Sequence, residues 1–336
     1  VTVDCGIRSP DEVGHAQGLG LDVILTDHHT VPEVLPPALA VVNPKRPDSA
    51  YPFRDLAGVG VAYRLVQALS FASWAELGVA LYPDEWLDLV ALGTVADVVP
   101  LTAENRALVQ QGLQWLRRAQ RPGVAALMTA ARVSAETLSS QDIAFRLGPR
   151  LNATGRLEHG ILAYSLLACA DSAQAQRLAA DLERLNTERQ DLLARQVTQA
   201  EAAVEPDDLP LFVQGPDYHE GIVGLVASRL AERHYRPALV MRTRPDGATR
   251  GSARSPELRT IATDADAPTA FSITRALESC AKLLIRFGGH AQAAGFTLET
   301  ARLPAFRERL QAYCAATIDP ASLSRQYLVD AIIGLD

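Results

Sequence analysis

The sequence predicts an α/β fold of two domains joined by a long helix, and three observations support this prediction. The chain has 336 residues, which is more than one ordinary hydrophobic core encloses. Short apolar runs alternate with segments of helical spacing near the start of the chain and again towards its end. A long amphipathic segment, residues 171–204, separates these two regions. We therefore expect a parallel-sheet domain, a connecting helix and a smaller second domain.

The first domain is expected over residues 1–168. Its predicted strands are the short apolar runs at residues 1–4, 22–26 and 40–42. Its predicted helices cover residues 10–18, 56–69 and 84–96, and a glycine turn opens the second of these. Strands that alternate with helices in this way favour a parallel sheet.

The connecting helix is expected over residues 169–205. Asp171 and Ser172 suit its N-cap, and leucines then recur at helical intervals among charged residues. The second domain is expected over residues 206–322. It should have strands at 209–214, 238–242 and 295–298, a helix at 221–233, a mostly helical segment at 268–287 and a glycine turn at 288–290. Residues 323–336 begin a further apolar run.

Composition narrows the class of protein. Hydrophobic residues make up 48% and charged residues 21%, and no apolar stretch reaches the length of a membrane-spanning helix. The four cysteines lack zinc-site spacing and are too sparse for a disulfide framework, so we expect reduced thiols and a cytoplasmic location. The net charge of −7 argues against a uniformly basic nucleic-acid binder, but it is compatible with an acidic site that binds metal ions.

Carboxylates and imidazoles follow two of the predicted strands. Asp4 ends the first strand, and Asp27, His28 and His29 follow the second. Because the carboxyl ends of parallel strands meet at one edge of a sheet, these side chains should converge. Their oxygen and nitrogen atoms suit Mn²⁺ or Mg²⁺. The alternatives are that Asp4 forms a turn and that the Asp-His-His run is structural.

Asp97 is a lone carboxylate within the apolar residues 91–100. A buried and unpaired charge costs roughly several kcal/mol, which a nearby cation would offset. The alternative is a residue at a helix C-terminus that pairs with an arginine such as Arg106. The sequence alone leaves both interpretations open.

Arg150, Asn152 and Arg156 lie in a segment that we interpret as rich in turns. Two cations around an amide suit a clamp for a phosphate or a sugar. The alternative is a cluster of salt bridges within the domain.

Two later segments also suit an anion. Ser252 and Arg254 should share one face of an extended segment and could hold a terminal phosphate. Gly288 and Gly289 permit close approach of the backbone to an anion, and His290 adds a donor.

Seven short motifs, in order along nearly the whole chain, resemble the RecJ branch of the DHH phosphoesterase superfamily. Four of them resemble its DHH domain: TVDCG at 2–6, TDHH at 26–29, GTVAD at 93–97 and RLNATGR at 150–156. Three resemble its DHHA1 domain: HEGIVG at 219–224, GSARS at 251–255 and FGGHAQAAG at 287–295. The resemblance implies a metal-dependent exonuclease that hydrolyses single-stranded DNA to mononucleotides from the 5′ end, in DNA repair and recombination. The resemblance also implies single-strand-binding protein and a helicase as partners, and it implies no association with a membrane.

The resemblance also implies a role for each residue of the first domain. Asp4 would bridge two metal ions, and His28 and Asp97 would bind one of them. His29 would face the phosphate and the leaving oxygen, and Asp27 would orient the histidines. The catalytic cleft would lie between the two domains.

The sequence departs from the family pattern at one point. The family's first motif, an Asp-x-Asp pair on the strand before Asp4, has no counterpart in the sequence. That pair would supply one further ligand to each ion, so we expect weak binding of one metal ion and little hydrolysis. We expect a fragment, because the chain starts within a predicted strand. Residues 323–336 would begin an OB-fold, a domain suited to single strands.

Two alternatives remain. The chain could resemble another DHH enzyme, such as an oligoribonuclease, a cyclic-dinucleotide phosphodiesterase or an inorganic pyrophosphatase. The motif at 150–156 and the apolar run at the end favour the RecJ branch. It could also be a non-catalytic RecJ-like scaffold of replication complexes, but intact Asp4, His28, His29 and Asp97 argue against that.

Overall fold

The computed structural model is α/β, as the sequence predicts, and it describes residues 1–78, 80–205, 207–261, 270–325 and 331. The chain forms two units, Val1–Asn186 and Thr187–Asp336. The division falls inside the long helix, whereas the sequence suggested boundaries at 168 and 205. No helix within the described ranges is long and apolar enough to cross a membrane.

The first unit contains a three-stranded parallel sheet. Its strands, in spatial order, are β1 (Thr2–Val3), β2 (Ile24–Thr26) and β3 (Ala40–Val42). The three strands lie at the predicted places and end level with one another, because Val3 pairs with Thr26 and Thr26 with Val42. Residues that follow the strands are thereby brought to one edge of the sheet.

Helices make up the rest of the first unit. They are α1 (Pro10–Gly18), α2 (Gly58–Leu77), α3 (Leu87–Ala96), α4 (Ala103–Arg118), α5 (Pro122–Ala130), α6 (Ser140–Asp142), α7 (Gly148–Leu157) and α8 (Ile161–Ala168). A 3₁₀ turn, Pro83–Trp86, precedes α3, and a π-helical turn, Ile143–Leu147, joins α6 to α7. The core is formed mainly by fully buried leucines of these helices, such as Leu116, Leu127, Leu147 and Leu166.

The long helix α9 (Ser172–Ala202) has 31 residues and is about 46 Å long at 1.5 Å per residue. Asp171 caps it, since its Oδ1 accepts a hydrogen bond from the Gln174 N–H at 2.6 Å. Leu182 and Leu185 are buried, as expected for one apolar stripe of an amphipathic helix.

The second unit is built on a five-stranded mixed sheet. Its strands are β4 (Leu211–Gly215), β5 (Ala238–Thr243), β6 (Ala248–Arg254), β7 (Leu284–His290) and β8 (Ala293–Glu299), in the spatial order β4-β5-β6-β8-β7. Only the β4–β5 pair within this sheet is parallel. The helices are α10 (Val223–His234), α11 (Ile273–Ser279) and α12 (Leu303–Thr317). Phe212, Phe296 and Phe306 form its aromatic core.

The prediction for residues 268–290 was partly wrong. Helix α11 ends at Ser279, and the predicted glycine turn at 288–290 is the end of strand β7. Short apolar runs cannot be assigned to helix or strand from periodicity alone, and here pairing with β8 decides the conformation. Residues 268 and 269, and most of the predicted start of an OB-fold at 323–336, lie outside the described residues.

Candidate metal centre and phosphate-binding residues

Polar residues come directly after the three strands of the first sheet: Asp4, Asp27 and Asn43. The Asp4 N–H donates to Thr26 O at 2.9 Å, and the Asp27 N–H donates to Val42 O at 3.0 Å. The ladder therefore continues one hydrogen bond beyond the strands, which fixes where the side chains of the site begin.

Asp27 organises the loop that follows β2, and it is only 1% exposed. One carboxylate oxygen, Oδ2, accepts a hydrogen bond from the Ile7 N–H at 3.0 Å. The other, Oδ1, accepts from the backbone N–H groups of His28 at 2.7 Å and His29 at 3.1 Å. Burial acts to raise the pKa of Asp27, but these hydrogen bonds and that of the His29 ring outweigh it and the pKa is lowered. Asp27 is therefore a buried carboxylate whose ionised form the loop stabilises.

His29 is the partly exposed histidine of the loop, with 40% of its side chain exposed. Its Nδ1 lies 2.7 Å from Asp27 Oδ1. We therefore assign the proton of the neutral ring to Nδ1, which leaves Nε2 as the basic nitrogen. Asn43 holds the backbone of the loop, because its Nδ2 donates to His29 O at 3.0 Å while its Oδ1 accepts from the Lys45 N–H at 2.8 Å.

His28 is buried, with only 5% exposed, and lies beside two carboxylates. Its Nε2 is 3.1 Å from Asp4 Oδ1 and 3.4 Å from Asp97 Oδ2. Both distances are those of ion pairs, and within the described part of the chain neither ring nitrogen has a hydrogen-bond partner of good angle. Burial acts to lower the pKa of His28, but Asp4 and Asp97 outweigh it, so the pKa is raised. The surroundings of this imidazole therefore favour a positive charge.

Asp97 is the residue that follows α3, and its N–H donates to Gly93 O at 3.0 Å. Burial raises the pKa of this carboxyl. The neighbouring His28 acts to lower that pKa, and the charge of Asp4 acts to raise it. The carboxylate lies against His28, the neighbour that the metal-site interpretation requires.

Together these residues form a donor set that suits a divalent cation. Asp4, His28 and His29 each offer a ligand atom, and these atoms lie within 4.8 Å of one another. Carboxylate oxygens and imidazole nitrogens are ligands that Mn²⁺ accepts. Buried polar atoms without hydrogen bonds are rare, and a cation held between Asp4 and His28 would account for one of the two such nitrogens of His28, Nε2. The geometry thus groups His29 with the possible metal ligands, whereas the resemblance implies that His29 faces the phosphate.

The predicted clamp at residues 150–156 does not lie in turns, because these residues belong to helix α7. Its Gly148-Pro149 start suits the first helical turn, and Gly155 adjoins open space. Asn152 and Arg156 are four residues apart and share a helix face, while Arg150 points away from it.

Arg150 forms its ion pair with a residue of the same unit. Its guanidinium forms an ion pair with Glu183 through two hydrogen bonds and donates to Arg146 O at 2.6 Å. These contacts correspond to the salt-bridge alternative for this arginine. Arg156 is partly buried, and burial lowers the pKa of its guanidinium.

In the second unit, Ser252 and Arg254 occupy alternate positions of β6 and share a face, as the sequence predicts. Arg254 Nη1 donates to Ser252 Oγ at 2.7 Å and to Ala253 O at 2.9 Å. The first turn of α10 lies against them, since a Cβ built on Gly224 would be 2.9 Å from Arg254 Nη2. A guanidinium beside a helix N-terminus is a setting that favours an anion.

The strand register connects these residues with the end of β7. Two rows run level across β6, β8 and β7: Ser252, Gly295 and Gly288 in one, and Arg254, Ala293 and His290 in the next. Between β6 and β7, the surface of the sheet is formed by the small residues Gly295 and Ala293 of β8. It spans roughly two strand spacings, about 10 Å. Gly289 has φ 150 and a Cβ there would lie 2.2 Å from Ala293 O, so only glycine fits at this position.

Sequence reasoning missed Asn43 and the backbone N–H of Ile7. Asn43 carried a weak signal, since it follows a predicted strand just as Asp4 and Asp27 do. Ile7 contributes a backbone N–H, which no motif for chemically reactive residues records.

Comparisons with known proteins agree with the resemblance. Residues 1–94 match the DHH family, N-terminal domain, and residues 208–316 match the DHHA1 domain. The chain is 39% identical over 340 residues to the single-stranded-DNA-specific exonuclease RecJ of Bacillus subtilis, and it covers 41% of that protein. The chain spans about half the length of the curated relatives it matches.

Two solved structures match the fold. RecJ of Thermus thermophilus in complex with Mn²⁺ is 37% identical, with a TM-score of 0.79 over 94% of this chain and 44% of that one. A second structure, exonuclease RecJ bound to manganese, is also 37% identical, with a TM-score of 0.73. This chain covers 74% of that protein. Since both domain types, the motif order and the fold agree along the chain, it belongs to the RecJ family of DHH and DHHA1 proteins.

Proposed function

We propose that the chain is the core of a divalent-metal-dependent exonuclease that hydrolyses single-stranded DNA from the 5′ end to mononucleotides. The observation that carries this proposal is the buried imidazole of His28, which lies between Asp4 and Asp97 without a hydrogen-bond partner among the described residues. The relatives' activity, as their names give it, supplies the substrate class.

Asp4, His28 and Asp97 would hold the cation. When bound, Mn²⁺ or Mg²⁺ would lower the pKa of a bound water and neutralise charge on the phosphoryl oxygens. Asp27 would keep His29 in one tautomer through the 2.7 Å contact at Nδ1. His29 would then present its basic Nε2 towards the phosphate, and in the protonated form it would donate to the leaving oxygen.

Ser252, Arg254 and the first turn of α10 would bind a phosphate of the strand. Arg254 is already oriented by its hydrogen bond to Ser252 Oγ, so little side-chain freedom would be lost on binding. His290, with Gly288 and Gly289, would line the other side of the surface formed by Gly295 and Ala293. Asn152 and Arg156 on α7 would make a further contact with the strand, and Arg150 would support that helix through Glu183.

The experiment is digestion of a 5′-phosphorylated, 3′-labelled single strand by the chain in Mn²⁺, compared with His29→Ala. We expect slow release of mononucleotides from the 5′ end, a loss of about 100-fold or more in His29→Ala, and no digestion of a blunt duplex. His159→Ala is the matched control, since this exposed histidine lies outside the donor set. Equal rates for the chain and His29→Ala would remove His29 from the mechanism. Metal-independent digestion would refute the proposal.

The same assay tests the scaffold alternative. A chain that binds single strands and Mn²⁺ but releases no nucleotide would support a binding role. Association with single-strand-binding protein or a helicase, and a cytoplasmic location, stay predictions.

A further inference from the structure

Asp4 has an unusual backbone conformation. Its φ is 63, in the left-handed region that residues with a side chain rarely adopt. Its N–H still donates to Thr26 O at 2.9 Å, so the backbone of Asp4 is anchored to β2. Asp4 therefore leaves β1 at an angle set by the sheet, and this angle turns its carboxylate towards α2 and His28.

Gly58, the first residue of α2, meets that carboxylate. A Cβ built on Gly58 would lie 2.3 Å from Oδ1, 2.6 Å from Cγ and 2.7 Å from Cβ of Asp4. Atoms that are not bonded do not approach so closely, so the two residues can pack in this way only because position 58 has no side chain. The Asp4 Cβ is fixed by its backbone, whereas the carboxylate belongs to a side chain that is 54% exposed and can rotate away from a group added at position 58.

The charge at this contact is favourable. The first turn of α2 carries N–H groups without partners inside the helix, and its end of the helix dipole is positive. A carboxylate placed there is stabilised in the orientation that brings Oδ1 to 3.1 Å from His28 Nε2.

We propose that Gly58 is a positioning residue of the metal centre, which acts through Asp4. Its missing side chain makes the space in which the Asp4 carboxylate lies, and a methyl group there would push the carboxylate away from the other donors. The inference rests on the metal site proposed above. It is tested by metal binding alone, so a chain that binds Mn²⁺ but cleaves no DNA would refute the nuclease proposal and leave this one standing.

The experiment measures free Mn²⁺ by electron paramagnetic resonance during titration of the chain and of Gly58→Ala, together with the melting temperature of the metal-free proteins. We expect Mn²⁺ affinity to fall about 10- to 100-fold, the usual range for residues that orient a ligand. We expect the melting temperature to fall, because the added methyl group would lie 2.7 Å from the backbone-fixed Asp4 Cβ, and the helix preference of alanine does not offset such overpacking. An affinity equal to that of the parent would overturn the proposal.

Two matched controls separate this effect from a general effect of alanine. Gly60 lies in the same helix, where a Cβ would be 3.1 Å from the flexible Leu56 side chain, and Gly14 of α1 adjoins open space. Gly60→Ala and Gly14→Ala should bind Mn²⁺ as the parent does. An equal loss of affinity in Gly60→Ala would also overturn the proposal.

A double variant covers the case in which Gly58→Ala destabilises the fold. Asp4→Gly removes all three close atoms and tolerates the left-handed backbone. Gly58→Ala should then leave both the melting temperature and the residual Mn²⁺ affinity of Asp4→Gly unchanged. If the methyl group lowers the melting temperature as much with Gly at position 4 as with Asp, it does not act through Asp4, and the inference fails.

Discussion

The proposed metal centre of the first unit and the proposed phosphate-binding residues of the second differ in how their charged groups are satisfied. At the metal centre, Asp27 is fully engaged in hydrogen bonds, but the buried His28 beside two carboxylates has none among the described residues. In the second unit, Arg254 already has Ser252 Oγ and a backbone carbonyl as partners. In the proposed function the first arrangement would be completed by a cation, whereas the second is preformed and would accept an anion without rearrangement. The two regions should therefore respond to different ligands and different mutations.

The largest effect is expected from His28→Ala. Loss of a buried ligand should reduce Mn²⁺ affinity by about 100-fold or more, since loss of a residue that only orients a ligand already costs about 10- to 100-fold. The metal-free affinity for a 5′-phosphorylated single strand, measured by fluorescence anisotropy, should not change. His234→Ala is a suitable control, because its ring bonds Glu201 in the other unit. A parallel loss of DNA binding would show that the two regions are not independent.

Arg254→Ala should have the opposite pattern. Removing a charge-assisted contact with phosphate should weaken binding of the 5′-phosphorylated strand about 10- to 100-fold, equivalent to about 1.5–3 kcal/mol. Mn²⁺ affinity should remain that of the parent. Arg302→Ala is the matched control, since this arginine pairs with the exposed Glu299 on the same unit. If removal of the 5′-phosphate abolishes the difference between Arg254→Ala and the parent, the arginine reads that phosphate; if not, it contacts the strand elsewhere.

The smallest effect concerns pH. The pKa of Asp27 is lowered by folding, so this carboxylate stabilises the folded chain above its unfolded pKa of about 3.9. That contribution is lost as pH falls through the lower, folded value. Asp27→Asn should therefore cost about 1–3 kcal/mol of unfolding free energy at pH 7, and less as the pH falls below about 4. Urea unfolding of the metal-free proteins at several pH values measures this difference. A difference that does not vary with pH would mean that the charge of Asp27 is irrelevant and only its shape matters.

The sequence predicted the sheet edge at which the site is built. Residues after two strands carry oxygen and nitrogen donors, and in a parallel sheet such residues converge, as Asp4 and His28 do. The place of Asp97 depended on the resemblance, because an aspartate after a helix is compatible with several roles. The face shared by Ser252 and Arg254 followed from strand alternation alone.

The remaining features depend on contacts between residues distant in sequence. Gly58 is recognisable as a helix start, but nothing local shows that the helix begins against Asp4, 54 positions earlier. Strand β7 was misassigned because its hydrogen bonds come from β8, and the pairing of Arg150 with Glu183 depends on how α7 packs against α9 within the first unit. Local sequence patterns specify elements and strand ends, and they do not specify which surfaces those elements meet.

The proposed metal site around His28 would also couple binding of a cation to folding, because its donors come together only in the folded chain. An ion that binds the folded chain and not the unfolded one adds stability in proportion to the logarithm of its concentration, about 2.7 kcal/mol at 100 times its dissociation constant. A thermal melt in the presence of different cations would therefore rank their affinities without any nucleic acid. A chelator would then lower the melting temperature of the metal-loaded chain, and the supply of metal would determine how much of the chain persists in its folded form.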